Sequence, residues 1–386
     1  MAASYPHPRR RANGEGSVYL TAAGRWRAAL SWTDAAGHRQ RRVLSGKTQA
    51  DVRRRLGALR ADLDRGLEPA RASALGPYLT AWLERDRQRV RASSWRQREQ
   101  HVRGYLIPAL GHIPLAKLTP SDVERMTTEL IASGRSPRTA SHARVILRRA
   151  LADAVRDGAV PRNVASLARP PHVAPRTIEP GRDYLPAAQL RTLLAAAHEH
   201  PLGPLVTLAA TTGLRQGELL GLTWPDFDAT AGTLTVRRSL ARSHAGGWEL
   251  APPKTRRSVR SLSLPVLAVA ALERQRETQT TAKAAAGTAW QDRDGLIFTN
   301  EVGQPLRGYT VTARFRDMLA AAGLPHITFH GLRHSAATAL LTAGIPLRTV
   351  SDLLGHSTIA LTADVYGHVE RQSRREAADA MDRALR

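Results

Sequence analysis

The chain has 386 residues, no cysteine and a formal net charge of +24. This length suits two or three domains, because single hydrophobic cores stop growing at about 250–300 residues. The lack of cysteine excludes disulfides, thiolate nucleophiles and thiolate metal sites. No apolar run approaches the roughly 20 residues that span a bilayer, and no apolar stretch follows the basic N-terminus as it would in a secretory signal. We therefore expect a cytoplasmic protein with no membrane partner.

The positive charge is spread along the whole chain rather than gathered in a tail. A field of this sign attracts a polyanion, and phosphate contacts would supply much of the affinity. An arginine-rich coding bias with solvated charges is the alternative interpretation. Such a bias explains arginine in place of lysine but not the shortage of acidic residues. The charge therefore favours a nucleic-acid-binding protein.

The first 66 residues predict a small three-stranded sheet followed by a helix. Gly16–Leu20, Arg25–Trp32 and His38–Leu44 are rich in β-forming residues and are separated by turn signals. Thr48 is placed to cap the helix that follows. We expect residues 1–66 to form one domain.

Two kinds of side chain on this sheet are candidates for DNA contact. Trp26 and Trp32 could stack on DNA, although aromatic residues in so small a sheet more often form its core. Arginines are the better candidates, because the face of a sheet can enter a major groove. The candidate DNA-contacting arginines are Arg25, Arg27, Arg39, Arg41 and Arg42.

Residues 74–168 predict a helical domain. Apolar residues recur at helical spacing in four runs. These runs begin near Leu75 and then cover Trp95–Leu106, Thr119–Ser133 and Ser136–Asp157. The proline-rich stretch 169–184 predicts an extended connector.

Residues 185–386 predict helices that alternate with one strand-rich island. The expected antiparallel strands are Gly232–Arg238, Trp248–Leu250 and Ser258–Leu264. The expected helices are Ala187–His198, Pro204–Thr211, Pro265–Thr278, Tyr309–Ala322, His330–Ala343, Leu347–Leu354, Ile359–Tyr366 and a tail helix, Val369–Leu385.

Four motifs in this last region resemble those of the tyrosine recombinase, or phage integrase, family. Three of them are TTGLRQGELLGLTW at 211–224, HGLRH at 330–334, and LLGHS at 353–357 followed by TADVYGH at 362–368. The fourth, PKTRR at 253–257, lies where the family carries a catalytic lysine. The resemblance implies six catalytic residues: Arg215, Lys254, His330, Arg333, His356 and the nucleophile Tyr366.

The resemblance also implies an architecture and an activity. The fold would be mainly α with small antiparallel sheets, comprising a sheet-plus-helix arm-binding domain, a four-helix core-binding domain and a mixed helical catalytic domain with a three-stranded sheet. The enzyme would cut and rejoin duplex DNA at attachment sites as a homotetramer, with no cofactor, metal or ATP. It would integrate and excise a phage or other mobile element and would associate with the nucleoid. Directionality factors and host DNA-bending factors are candidate further partners.

The chemistry of phosphodiester transfer suits these residue types. Charge builds on the non-bridging oxygens, and the guanidiniums of Arg215 and Arg333 would meet it while remaining charged at any working pH. A free phenol has a pKa near ~10, so Tyr366 needs a base or charge stabilisation. His330 and His356 are the candidates, the first implied as a base or proton relay and the second as a hydrogen-bond donor to phosphate.

Lysine is rare in this chain, which gives Lys254 a separate argument. There are four lysines against 53 arginines. Arginine releases a proton too reluctantly to protonate a departing 5′-oxygen, whereas a lysine can be tuned to do so. We expect Lys254 to be the general acid, the alternative being a leftover surface lysine on a hairpin turn.

Three further residues keep two interpretations each. Glu218 shares a helix face with Arg215, so it either orients an active-site group or is a plain surface or supporting carboxylate. His334 and His368 lie close in sequence to proposed catalytic residues. Each either takes part in the site or is only packed beside it.

Three other functions compete with recombination. A catalytically silent DNA-binding protein would bind the same DNA without cutting it. A type IB topoisomerase would share the chemistry but exchange no partner. A metal-dependent nuclease would need clustered carboxylates, and acidic residues are scarce around these motifs.

Overall fold

A computed structural model describes residues 16–33, 37, 39–64, 74–174, 178–252, 259–292, 294–355, 381–383 and 385. The predicted helix Ile359–Tyr366 and nearly all of the predicted tail helix lie outside these residues. The chain divides into two compact units, Met1–Val173 and Ala174–Arg386. The finer division into residues 1–66, 74–168, 169–184 and 185–386 stays a prediction. No helix of the described part is long and apolar enough to cross a membrane.

The first unit begins with an antiparallel sheet and one helix. The strands are β1 (Ser17–Leu20), β2 (Trp26–Thr33) and β3 (Arg39–Gly46), in that order, and the helix is α1 (Gln49–Asp64). Thr48 begins the helix as predicted, because its hydroxyl accepts a hydrogen bond of 3.2 Å from the backbone N–H of Asp51. One sheet face packs on α1 through Ala28, Leu30, Val52, Leu56 and Leu59.

The rest of the first unit is helical and has its own apolar core. Thr119 and Asp122 cap each other's backbone N–H groups, and the Ser136 hydroxyl accepts from the Thr139 N–H, so two helices begin where the sequence predicts. Trp82 and Leu147 are fully buried in this core. The helices are α2 (Leu75–Arg87), α3 (Ala92–His101), a π-helical turn (Val102–Leu106), α4 (Ile107–Leu110), α5 (Pro120–Ala132), α6 (Pro137–Arg156) and α7 (Val164–Leu167).

The second unit surrounds one almost fully buried helix, α9, against which α8, α11 and α13 pack. Its helices are α8 (Ala187–Ala197), α9 (Gly203–Thr212), α10 (Gln216–Leu220), α11 (Val266–Ala286), α12 (Gly308–Ala321), α13 (Gly331–Thr342) and α14 (Leu347–Leu354). Its strands are β4 (Phe227–Asp228), β5 (Thr233–Val236), β6 (Ser239–Arg242), β7 (Trp248–Ala251) and β8 (Arg260–Ser263). The mainly helical fold class with small antiparallel sheets is confirmed.

The strand-rich island pairs differently from the sequence prediction. A three-stranded sheet is present, but its order is β4-β5-β8, and β7 pairs with β6 in a separate two-stranded sheet. The prediction of one sheet containing Trp248–Leu250 is therefore wrong. Leu240 directly opposes Leu250 across the hairpin, so the nearest apolar partner in the chain takes up the strand.

The predicted extended connector is also wrong for its second half. Residues 179–184 form a closed turn, in which the Gly181 N–H donates to the Tyr184 carbonyl at 2.8 Å and the Asp183 N–H donates to the Glu179 carbonyl at 2.9 Å. Ile178 and Tyr184 are buried in an apolar cluster with α13 and α14. Burial of these two side chains overrides the proline signal, so residues 178–184 pack as part of the second unit.

Candidate active site

Arg215 is held at the start of a short helix. Helix α9 is capped at its C-terminus by Gly213, whose positive φ of 63° turns the chain sharply. A Cβ at Gly213 would lie 2.5 Å from Leu354 Cδ2, so glycine is required for this close packing. Arg215 then caps α10 in an extended conformation. Its side chain remains 41% exposed and can reach a ligand in solvent.

Glu218, one turn further on, fixes the Arg215 turn. One carboxylate oxygen accepts the Arg215 backbone N–H at 3.0 Å, and the other accepts Arg215 Nη1 at 2.9 Å. The Glu218 side chain is buried, so the interpretation as a plain surface carboxylate is wrong. It orients the backbone and the guanidinium of the same arginine.

Arg260, at the start of β8, is a site residue that sequence reasoning missed. Its Nη2 lies 3.0 Å from Oε2 of Glu218, the oxygen that also accepts the Arg215 backbone N–H, and both side chains are buried. Burial is the largest single influence on the pKa of the Glu218 carboxyl, and by itself it would raise that pKa. The hydrogen bonds and charges of Arg260 and Arg215 together outweigh burial, so the net result is a lowered pKa of Glu218. No local signal marks Arg260, because its partner lies 42 positions away.

Arg333 lies in the first turn of α13 and is buried, with 3% of its surface exposed. Its Nη1 donates to the Gly213 carbonyl and its Nη2 to the Leu354 carbonyl, both at 2.8 Å. The first and second motifs are therefore in direct contact. Burial excludes water from this guanidinium, and such surroundings strengthen its interaction with an arriving charge.

The two histidines of the HGLRH motif lie beside each other. The rings of His330 and His334 are perpendicular, with centroids 5.1 Å apart. His330 is exposed and precedes α13, whereas His334 is half-buried in its first turn. His330 is therefore the more accessible of the two histidines. Between them, a Cβ at Gly331 would lie 2.6 Å from the Asp183 carbonyl, so glycine allows the turn at residues 179–184 to pack tightly against the start of α13.

The described part of the chain before the predicted nucleophile segment ends at Gly355, which contacts Arg215. Helix α14 is capped at its C-terminus by Gly355, which has a positive φ of 68°. Its carbonyl accepts a hydrogen bond of 3.3 Å from Arg215 Nη2. The next residue in sequence is His356, and His356, Tyr366 and Lys254 all lie outside the described residues.

The register of the N-terminal sheet separates the predicted DNA-contacting arginines. Arg41 and Arg39 oppose Ser31 and Thr33, on the face turned away from α1, and alternation places Arg27 on the same face. Arg42 opposes the buried Leu30 and therefore belongs to the face that packs on the helix. Arg25 precedes β2, in the turn where the Thr21 hydroxyl bonds to its backbone. The five arginines therefore do not share one surface.

Two protein-family models match this chain. Residues 183–373 match the model described as the phage integrase family. Residues 74–131 match the model of the phage integrase N-terminal SAM-like domain.

Individual relatives support the same assignment over nearly the full chain. The chain is 32% identical to an integrase of Streptomyces ambofaciens, and the match covers 93% of each. It is 29% identical to a "Tyrosine recombinase XerC-like" protein of Caldanaerobacter subterraneus subsp. tengcongensis, over 80% of this chain and 82% of that protein.

Solved structures share the fold. The structure of the Tn1549 transposon integrase in complex with circular intermediate DNA has a TM-score of 0.65 and 23% identity, over 79% of this chain and 99% of that one. A lambda integrase tetramer bound to a Holliday junction has a TM-score of 0.53 and 20% identity, over 91% and 97%.

The second unit is helical and brings two motif arginines together at one helix end, and the fold of the chain is that of solved integrases. The chain belongs to the phage integrase family. It is a tyrosine site-specific recombinase of the integrase type.

Proposed function

We propose that this integrase cuts one DNA strand at a time by attack of Tyr366 on the scissile phosphate. The bond from the phenolic oxygen to phosphorus forms as the bond from phosphorus to the 5′-oxygen breaks. A 3′-phosphotyrosine and a free 5′-hydroxyl result. A 5′-hydroxyl of another strand then reverses the step, so the bond energy is conserved and no ATP is needed.

One structural observation carries this proposal. Arg215 and Arg333 come from separate motifs, yet Arg333 donates to the Leu354 carbonyl and Arg215 to the neighbouring Gly355 carbonyl, before the predicted nucleophile segment. Two guanidiniums at one place suit a transferring phosphoryl group, whose charge is spread over its non-bridging oxygens. In this proposal Arg215 and Arg333 bind the scissile phosphate.

The proton transfers are assigned to the remaining motif residues. His330 acts as the base or relay for the Tyr366 phenol, and its exposure leaves it accessible to the DNA substrate. His356 donates a hydrogen bond to the phosphate. Lys254 protonates the departing 5′-oxygen. The roles of His356, Lys254 and Tyr366 rest on their sequence motifs.

The proposed substrate is a pair of duplex attachment sites, and the proposed assembly on it is a homotetramer. The net charge of +24 supports binding to DNA. The Tn1549 and lambda integrase structures contain DNA, and one lambda structure is a tetramer on a Holliday junction. The proposed activity integrates and excises a phage or other mobile element. Directionality factors and host DNA-bending factors are further proposed partners. The proposed location of the protein is the nucleoid.

The proposed domain organisation follows the sequence divisions. Residues 1–66 bind arm-type DNA sites, and residues 74–168 bind the core site beside the catalytic residues 185–386. Arg27, Arg39 and Arg41 support the first assignment, because they occupy the sheet face that α1 leaves open. A cytoplasmic location accords with action on chromosomal DNA.

The experiment that tests this proposal measures a covalent protein–DNA adduct on a suicide substrate carrying the protein's own attachment site. Tyr366→Phe loses one phenolic oxygen and should bind DNA but form no adduct. Tyr309→Phe is the matched control. Tyr309 is exposed, and a hydrogen bond from Arg307 lowers the pKa of its phenol, so it is the obvious competing nucleophile.

Four outcomes decide between the candidate nucleophiles and between the competing functions. Loss of the adduct in Tyr366→Phe alone supports the proposal. Loss in Tyr309→Phe alone would transfer the role of nucleophile to that residue. A wild-type protein that binds its site without forming an adduct would be a silent DNA-binding protein, and relaxation of a two-site plasmid without inversion or excision would indicate a topoisomerase.

A further inference from the structure

The C-terminal turn of α14 is held by three arginines. Its three consecutive carbonyls at 353–355 accept hydrogen bonds from Arg260 Nε at 3.0 Å, Arg333 Nη2 at 2.8 Å and Arg215 Nη2 at 3.3 Å, in that order. The last carbonyls of a helix lack partners within the helix and carry the negative end of its dipole. Guanidiniums from three separate elements therefore fix this helix end.

Arg260, unlike Arg333, also holds Glu218. Its Nη2 and Nη1 lie 3.0 Å and 3.5 Å from the two carboxylate oxygens. Glu218 in turn binds the backbone and the guanidinium of Arg215. One buried side chain thus connects the turn that carries Arg215 to the end of α14.

Stability alone is a poor reason for such an arrangement. Desolvation of two charges can cost more than their attraction returns, and apolar replacements of a buried ion pair are often neutral or stabilising. Accurate placement is a better reason, since a displacement of about 1 Å at a reacting centre can cost roughly 10²-fold in rate. The side chain of Arg260 is 9% exposed, so the role must be exerted through its neighbours.

We propose that Arg260 is a positioning residue for strand cleavage, which fixes the Arg215 guanidinium relative to the C-terminal turn of α14. It acts through Glu218 on one side and the Leu353 carbonyl on the other. This inference rests on the proposed function, in which Arg215 binds the scissile phosphate.

The first test compares single-turnover adduct formation at saturating protein for Arg260→Met and Arg260→Lys. Arg260→Met should slow cleavage by roughly 10²-fold while DNA binding is retained. Arg260→Lys keeps the charge and should recover part of the rate. The matched control is Arg238→Met, because Arg238 also pairs with a buried carboxylate, that of Asp226, at 3.2 Å. The control should lose stability and cleave at the wild-type rate.

The second test separates positioning from a merely structural effect. A methylphosphonate at the scissile position lacks the negative charge that Arg215 would meet. Arg215→Ala should therefore fail on the phosphate substrate and recover on the methylphosphonate. Arg260→Met should recover on the same substrate, because its defect is a misplaced Arg215. Where Arg260→Met does not fold, Arg260→Lys takes its place in the comparison.

The outcomes distinguish the two proposals. Failure of Arg215→Ala to recover would overturn the phosphate-binding role of Arg215 and the positioning role with it. Recovery of Arg215→Ala together with slow cleavage of both substrates by Arg260→Met would overturn the positioning role alone. Wild-type cleavage by Arg260→Met would also overturn it.

Discussion

Arg333 in α13 donates a hydrogen bond of 2.8 Å from Nη1 to the carbonyl of Gly213, at the end of α9. Its Nη2 also donates to the Leu354 carbonyl at the end of α14. One buried side chain thereby joins α13 to the next helix, α14, and to α9, whose end lies 120 positions earlier in the chain. A Cβ at Gly213 would lie 3.7 Å from Arg333 Cγ and 2.5 Å from Leu354 Cδ2, so the junction depends on glycine.

The first prediction concerns this glycine. Gly213→Ala should lower the free energy of unfolding by about 2–5 kcal/mol, because it adds left-handed backbone strain and overpacking. It should also slow adduct formation by displacing Leu354 and Arg333. Chemical denaturation and the suicide substrate provide the two measurements. Gly232→Ala is the control, since Gly232 has a similar φ of 61° and nothing within 4 Å of the added Cβ. Equal losses in both variants would contradict the role of packing at Gly213.

The second prediction concerns the pH dependence of stability. The pKa of Glu218 is lowered in the folded protein, where the contacts with Arg260 and Arg215 outweigh the opposing effect of burial. A lowered folded pKa contributes stability that is present above the unfolded pKa, near ~4.3, and is lost as pH falls through the folded value. Glu218→Gln should therefore cost about 3–5 kcal/mol at neutral pH and should flatten the acid limb of the stability curve. Denaturation midpoints measured from neutral to acid pH test this, and an unchanged acid limb in the variant would be the contrary result.

The third prediction concerns the leaving group. Lys254→Arg should bind DNA normally and cleave roughly 10²–10⁴-fold more slowly, because arginine is a poor general acid. A substrate with a 5′-bridging sulfur departs as a thiolate and needs no proton, so it should largely restore cleavage. Gel quantification of the adduct on both substrates provides the measurement. If the sulfur substrate gives no recovery, the acid is His330 or His356 instead.

The fourth prediction concerns the open face of the N-terminal sheet. Arg41 and Arg42 are adjacent, and the strand register places them on opposite faces. Arg41→Ala should weaken binding to arm-type DNA and reduce the salt dependence of the affinity by about one unit of log–log slope. Arg42→Ala makes the same charge change and should have a smaller effect. Titrations at several salt concentrations compare them, and equal slopes would show that net charge, rather than this face, determines binding.

Local sequence determined most of the helices and the identity of the motifs. The runs that became α5 and α6 are amphipathic and begin at side-chain caps, Thr119 and Ser136, whose partners lie three residues away. Such signals depend on hydrogen bonds and spacing within one or two turns, so a single sequence carries them in full. The order of the motifs at Arg215, His330 and Arg333 was equally visible without a structure.

Tertiary structure alone decided which distant groups meet. The pairing of β7 with β6, the burial of Ile178 and Tyr184, and the contact of Arg260 with Glu218 all depend on the packing of segments that local patterns do not relate. The prolines near residue 180 predicted an extended chain, but the side chains of Ile178 and Tyr184 are buried in an apolar cluster. In the sequence, Arg260 resembles any other of the 53 arginines. Only the folded unit removes its guanidinium from water and places a carboxylate against it.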